Sequence, residues 1–240
     1  MSRRPGATTE HWVLVDDLDR PFDAPGQMAA DLALLDATAG DGRPRLRLYR
    51  WHPPALSLGR FQPEDDVDRD ACARFGVEVV RRPTGGRALL HGGDLTYAVT
   101  LPGAAPDRAT VEETYAYLAA GLCAGLARLG VDAAVARHEG PAGAVCMATQ
   151  QGADLRVGER KVCGSAQVRR EGGILQHGSV LLERLTFDET DLIAGDHDRA
   201  SLHAATVTLA ELGAPHDARI VGKALVEGFC DALDVDLSFT

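Results

Sequence analysis

The sequence predicts an α/β domain, a sheet with helices packed on it, on three observations. Two apolar, strand-like runs (Val77, Val79, Val80, then Leu95, Tyr97, Val99, Leu101) enclose a loop of glycine, arginine and histidine between Arg81 and Thr100. The capping box Thr110-Val111-Glu112-Glu113 opens a helix whose stripe of Val111, Tyr115, Leu118, Leu122, Leu126 and Leu129 stops at Gly130. From Asp154 to Leu182, three short runs separated by turns at Gly158-Glu159 and Glu171-Gly172-Gly173 read as a meander of adjacent strands.

The remaining elements follow in order. Residues 1–10 carry Arg3, Arg4, Pro5 and Gly6 without periodicity and read as a loose tail. Met28, Ala29, Leu32 and Leu35 give an amphipathic helix over Gln27–Thr38, after Pro25-Gly26 and ended by Gly40-Asp41-Gly42. Leu46 and Leu48 alternate with Arg45, Arg47 and Arg50, the pattern of a half-buried strand closed by Pro53-Pro54. Ala55 to Gln62 is a short strand ending in a glycine turn. Pro63 to Phe75 reads as a helix, with Glu64-Asp65-Asp66 favouring its N-terminus. Val131 to Ala136 is a strand and His138 to Gly143 a loop. Two helices, one around Leu202, Val207 and Leu209 and one through Ile220, Leu225, Phe229 and Leu233, pack on the sheet.

Composition narrows the function classes. A chain of 240 residues, 45% hydrophobic and 25% charged, is long enough for one large core, and no repeat or linker divides 1–240. No run approaches the roughly 18 uninterrupted apolar residues that span a bilayer. No apolar stretch follows the basic N-terminus as in a secretory leader, so a cytoplasmic protein without a membrane partner is expected. The net charge of -10 disfavours nucleic acid. An acidic partner needs a local basic patch, for which Arg81, Arg82, Arg87, Arg169 and Arg170 are candidates. Five cysteines, an odd number with no C-x-x-C pair, argue against a disulfide framework and against a cysteine zinc site.

Two constellations carry chemistry. In Arg81-Arg82-Pro83-Thr84-Gly85-Gly86-Arg87, the glycines allow close backbone approach and positive φ, while the arginines offer cationic forks for phosphate or carboxylate. A solvated hairpin with surface arginines is the bland alternative. The second runs Lys161-Val162-Cys163-Gly164-Ser165-Ala166-Gln167, then Leu175-Gln176-His177-Gly178-Ser179, with Cys146 upstream in Ala144-Val145-Cys146-Met147. A thiol attacks as its thiolate, and a neighbouring cation lowers its pKa from about 8.5. Lys161 is the candidate cation, and a thiolate beside it can take an acyl group from a thioester and pass it to an amine. Backbone N–H groups at the glycine turns suit the oxyanion. For Cys146 alone, core packing and catalysis fit equally. Cys163, Cys72, Cys123 and Cys230 read as core residues. His138, His197, His203 and His216 lack metal-ligand spacing, whereas His91 and His177 each border a glycine turn.

The residues also carry a resemblance. Arg81 to His91 followed by Asp94-Leu95-Thr96-Tyr97, Lys161 with Gly164 to Gln167, and Leu175 to Ser179 resemble the catalytic domain shared by lipoate-protein ligases, octanoyltransferases and biotin-protein ligases. With Leu58-Gly59-Arg60-Phe61-Gln62, the similarity spans roughly residues 27–235. It implies a central mixed, largely antiparallel sheet with flanking helices. It also implies Cys146 and Lys161 as catalytic residues, and Arg82, Thr84, Gly85, Gly86, Arg87, His91, Gly164, Ser165, Gln167, His177 and Gly178 as substrate-binding ones. Ligases show a third glycine at Arg87 and Asp at Gly92, so the match is closer to the cysteine-dependent transferases, from which Met147 departs by replacing an aromatic. Single-chain ligases also commonly carry a C-terminal accessory domain, for which this chain ends too soon.

The implied reaction is octanoyl transfer from acyl carrier protein to a lysine of a lipoyl domain, such as the glycine-cleavage carrier protein, with no cofactor and no metal. The alternatives are an amidotransferase between lipoyl domains, an ATP- and Mg²⁺-dependent ligase lacking its accessory domain, and a noncatalytic carrier-binding protein.

Overall fold

The computed structural model describes residues 9–103, 110–136, 154–170 and 172–239. Eight strands form the main sheet: β1 (Glu10–Asp17), β2 (Arg45–Tyr49), β6 (Asp94–Pro102), β7 (Ala134–Val135), β8 (Leu155–Val157), β9 (Arg160–Arg170), β10 (Gly173–Leu181) and β11 (Val235–Phe239). They lie in the order β11-β1-β2-β6-β10-β9-β8-β7, antiparallel from β2 to β7 and parallel at the β11-β1-β2 edge. The sheet is thus mixed and largely antiparallel, as expected, and the meander is β8, β9 and β10.

A second sheet was not expected. Strands β3 (Ala55–Leu58), β4 (Glu78–Arg81) and β5 (Leu89–His91) pair in the order β4-β3-β5. The glycine-arginine loop therefore leaves β4 in the small sheet, returns through β5, and reaches the main sheet only at β6.

Strand β6 shows how the layers separate. Leu95, Tyr97, Val99 and Leu101 face a core shared with helices α3 (Val111–Arg128) and α5 (Ala218–Leu233), through Leu118, Leu122, Leu126, Val221, Leu225 and Phe229. Alternate residues turn to the other face. There, Ala98 packs with Met28 and Leu35 of α1 (Ala24–Asp41), and Thr100 bonds Thr38 of the same helix at 2.7 Å.

Several elements differ from expectation for local reasons. Helix α1 starts at Ala24 because Asp23 caps it, accepting from the Gly26 amide at 2.8 Å, and Pro25 sits in the first turn, where no N–H is needed. Its buried stripe is Ala24, Gln27, Met28, Asp31, Leu35 and Thr38, while Ala29 is exposed. The helix expected over Pro63–Phe75 is a 3₁₀ turn, Glu64–Asp66, then α2 (Arg69–Phe75), because Asp68 caps a new helix and Val67 bridges to Ile193.

The helix around Leu202 is the short α4 (Arg199–Ala205), and Val207 and Leu209 lie beyond it. Ile220 is exposed, its place on the buried face of α5 taken by Val221. Strands β1 and β11 lay outside the prediction; Glu10, expected in the tail, opens β1, and residues 1–8 lie outside the described residues. Trp12, Val13 and Leu14 are consecutively buried because β1 is interior, so it shows no alternation; β11 is mostly exposed and pairs with the opposite end of the chain. The loop at His138–Gly143 and the segment holding Cys146 lie outside the described residues. Among the described residues, no helix is long and apolar enough to cross a membrane.

Candidate active site

A cavity lies between the α1-facing side of the main sheet and the small sheet. Met28, Trp51, Leu89 and Ala166 give it an apolar interior; Arg82, Gly86, His91, His177 and Asp154 bring polar groups to its wall. A mostly apolar slot with a few convergent polar groups suits an acyl chain with a reactive head.

The glycine-arginine loop is held by its own side chains. A Cβ on Gly59 would stand 1.8 Å from the Gly86 carbonyl oxygen, so the loop backbone lies directly on Gly59, and Gly86 adopts φ +92°. Gly85 has open space around it. The guanidinium of the buried Arg82 donates to the carbonyls of Gly85 (2.8 Å), Arg87 (2.7 Å) and Ser57 (2.9 Å), so its fork braces the loop. Arg81 donates in the same way to the carbonyls of Gly59 and Gln62, and half-exposed Arg87 lies 3.8 Å from Asp66. The sequence suggested forks open to an anion; here they close the turn.

Two buried carboxylate–imidazole pairs flank the cavity. On one side Asp94 lies 3.0 Å from His91 Nδ1, and His91 Nε2 lies 2.8 Å from Ser57 Oγ, with Trp51 stacked on the ring at 4.2 Å. Burial pushes the Asp94 carboxyl up, but the His91 ring, the Ser179 hydroxyl and the Gly92 amide together outweigh burial and leave it below the usual carboxylate range. On the other side Asp31 lies 2.9 Å from His177 Nδ1, and His177 Nε2 lies 2.7 Å from Thr84 Oγ1. Asp31 is itself held by Arg47 at 2.8 Å and Tyr49 at 2.9 Å.

Lys161 is 2% exposed, its ammonium 2.9 Å from the equally buried Asp154 in the cavity wall. Ser165 bonds the Tyr97 hydroxyl at 2.7 Å, and a Cβ on Gly178 would meet the Gly164 carbonyl at 2.4 Å, so β9 and β10 close tightly here. Cys163 is fully buried, and burial pushes its thiol up to about 12, which suits a core residue and not a nucleophile.

Of the residues singled out from sequence, Arg82, Gly86, His91, Gly164, Ser165, His177 and Gly178 line the cavity. Thr84 joins through His177 and Lys161 through Asp154. Gly85, Arg87 and Gln167 stand outside the wall, Gln167 bonding Gln176 at 3.2 Å. Cys146 is outside the described residues. Sequence reasoning missed Ser57, Trp51, Asp154 and above all Asp31. Asp31 had a signal: three residues after Met28 and four before Leu35, it sets a charge on the face of the helix that the apolar spacing turns inward.

The chain belongs to the lipoyl protein ligase A/B catalytic-domain family, whose model matches residues 23–229. Within it, the octanoyltransferase LipM of Symbiobacterium thermophilum is 42% identical over 95% of this chain and 88% of its own. The octanoyltransferase LipM of Kyrpidia tusciae is 40% identical, over 88% and 83%. Solved structures share the fold. Ta0514 from T. acidophilum, with bound lipoic acid, aligns with a TM-score of 0.79 at 24% identity over 97% of this chain and 89% of that one. Lipoate-protein ligase A bound with ATP gives 0.79 at 22%, over 96% and 88%.

Proposed function

We propose that the chain is an octanoyltransferase of protein lipoylation, a single catalytic domain that takes octanoate from acyl carrier protein through Cys146. Its acceptor is a lysine of a lipoyl domain such as the glycine-cleavage carrier protein, and it works in the cytoplasm. Family membership and relatives named octanoyltransferase at 40–42% identity support the acyltransferase reading. The observation that carries the chemistry is the buried Lys161–Asp154 pair at the wall of an apolar cavity.

Lys161 is ion-paired with Asp154, and an ammonium stabilises a thiolate. In the first half-reaction the Cys146 sulfur bonds the thioester carbonyl carbon, the bond to the carrier's sulfur breaks, and the carrier thiolate takes up a proton. In the second, the acceptor's uncharged amine bonds the same carbon and the Cys146–carbon bond breaks. The proton shed by the amine returns to sulfur, with Lys161 as relay. The donor thioester is already activated, so neither ATP nor a metal enters.

Incubation with octanoyl-acyl carrier protein and intact mass measurement tests this. An octanoyl adduct that vanishes in Cys146→Ala supports it, and an unmutated protein that never gains the mass overturns the covalent route. Activity that needs ATP and Mg²⁺ and survives Cys146→Ser identifies a ligase. Faster transfer from an octanoylated lipoyl domain than from the carrier identifies an amidotransferase.

A further inference from the structure

Asp31 lies outside the cavity wall, yet it anchors a chain of hydrogen bonds that ends on the residue preceding the two loop glycines. We propose that Asp31 is a positioning residue for acyl binding: through His177 it pins Thr84, and with it the Gly85-Gly86 turn that roofs the cavity. The inference rests on reading that cavity as the acyl site.

The polarity at the Asp31 end is fixed by chemistry. A carboxylate only accepts, so His177 Nδ1 carries the proton that points at Asp31, 2.9 Å away. Nε2 lies 2.7 Å from the Thr84 hydroxyl, which donates to a neutral ring and accepts from a protonated one, so the bond to Thr84 stands in either form. Arg47 and Tyr49 hold the carboxylate from two further sides, and Arg47 is held in turn by Asp17 at 2.7 Å and Gln27 at 2.6 Å. Burial, then the Asp31 charge, push the Tyr49 hydroxyl far above its ordinary value, so it stays a donor. Asp31 therefore has no freedom to turn away from His177.

The far end of the chain is where function enters. Arg82, Ser57 and Gly59 tie the loop to the small sheet. Among the described residues, the Thr84–His177 bond is the one hydrogen bond joining residues 83–88 to the main sheet. The two sheets form opposite walls of the cavity; His91 bonds across to Asp94 and Ser179 at its own end, and the Thr84–His177 bond is the crossing that holds the loop. A buried polar chain of this length adds little stability over apolar packing, but it is directional. It fixes where Gly86 and Arg82 stand over the slot.

The test uses the full chain with Thr84→Val, Thr84→Ser and Asp31→Asn. It reads hydrogen exchange over residues 83–88, calorimetric binding of octanoate, and KM and kcat for octanoyl-acyl carrier protein. Losing one such bond predicts, for Thr84→Val, about tenfold faster exchange and about tenfold weaker octanoate binding and higher KM, with kcat within about threefold. Thr84→Ser restores all three. Asp31→Asn reproduces the Thr84→Val pattern, and the double variant is no worse than either single one. Unchanged exchange and affinity in Thr84→Val overturn the proposal, as do Asp31→Asn and Thr84→Val losses that add, since Asp31 would then serve stability alone. Absence of octanoyl transfer in the unmutated chain counts against the acyltransferase reading only, because exchange and octanoate binding need no turnover.

Discussion

The two faces of strands β2, β6 and β10 solve opposite problems. Toward α3 and α5 they present Leu46, Leu48, Leu95, Val99, Leu101, Ile174 and Val180, a core whose worth scales with buried area and which tolerates any apolar filling of the right volume. Toward α1 and the small sheet they present Arg47, Tyr49, Asp94, Thr96, His177 and Ser179, buried just as deeply but bonded pairwise. Buried charges cost heavily unless every partner is present, so this second face cannot be repacked piecemeal. One face therefore stores stability, and the other stores geometry.

Substitutions that separate stability from turnover test this contrast. The largest effect is expected for Lys161→Met, which removes the ammonium proposed to stabilise the thiolate: single-turnover transfer should fall by about 10²–10⁴. Retention of most activity would move Lys161 from the chemistry to the scaffold. Next, Arg47→Met strands Asp17 and Asp31 and should cost about 3–5 kcal/mol in denaturant unfolding. Leu122→Ala on the opposite face should cost about 2–5 kcal/mol. The contrast lies in kcat/KM measured where both are folded: reduced for Arg47→Met, unchanged for Leu122→Ala. Equal losses of activity would erase the distinction between the faces.

A smaller effect concerns Glu189, a buried carboxyl that accepts from the Leu90 amide. Burial pushes it up from 4.5 to about 7. A carboxyl whose folded pKa is raised binds more protons folded than unfolded, so its neutral form is accommodated below pH 4.5 and stability drains away as pH rises toward 7. Between those limits the loss is on the order of 2–3 kcal/mol. Glu189→Gln should flatten that part of the melting profile, and a profile identical to the parent's would show that the carboxyl is not the source. The smallest effect is expected for Gly59→Ala. Its Cβ cannot coexist with the Gly86 carbonyl 1.8 Å away, so the loop must lift. That displacement should appear mainly as a roughly tenfold higher KM for the acyl donor, with the melting temperature lowered by only a few degrees.

Much of the site was legible because its residues cluster in sequence. His91 lies three residues from Asp94, Gly164 and Ser165 follow Lys161 on one strand, and His177 and Gly178 sit on the next, so strand pairing alone brings them together. The second sheet was not legible: the strands that became β3 and β4 were read, but periodicity does not say which sheet a strand joins, and β5, three residues long, reads as part of the loop. Arg47 was read as solvent-facing because alternation marks a strand's two faces without saying that both are covered.

By itself the sequence determined what local chemistry can determine. It placed the Thr110–Glu113 capping box that starts α3, the period-two run of β6, the β8-β9-β10 meander with its turn glycines, and the residue types of the proposed acyl transfer. Tertiary structure alone decided which charges meet. Asp31 reaches His177 from 146 positions away, Thr84 meets the same ring from 93, and Arg82 spends its fork on the loop's own carbonyls. Hydrogen bonds between side chains so far apart leave no spacing to read, because their geometry exists only once helix α1 and the two sheets have packed.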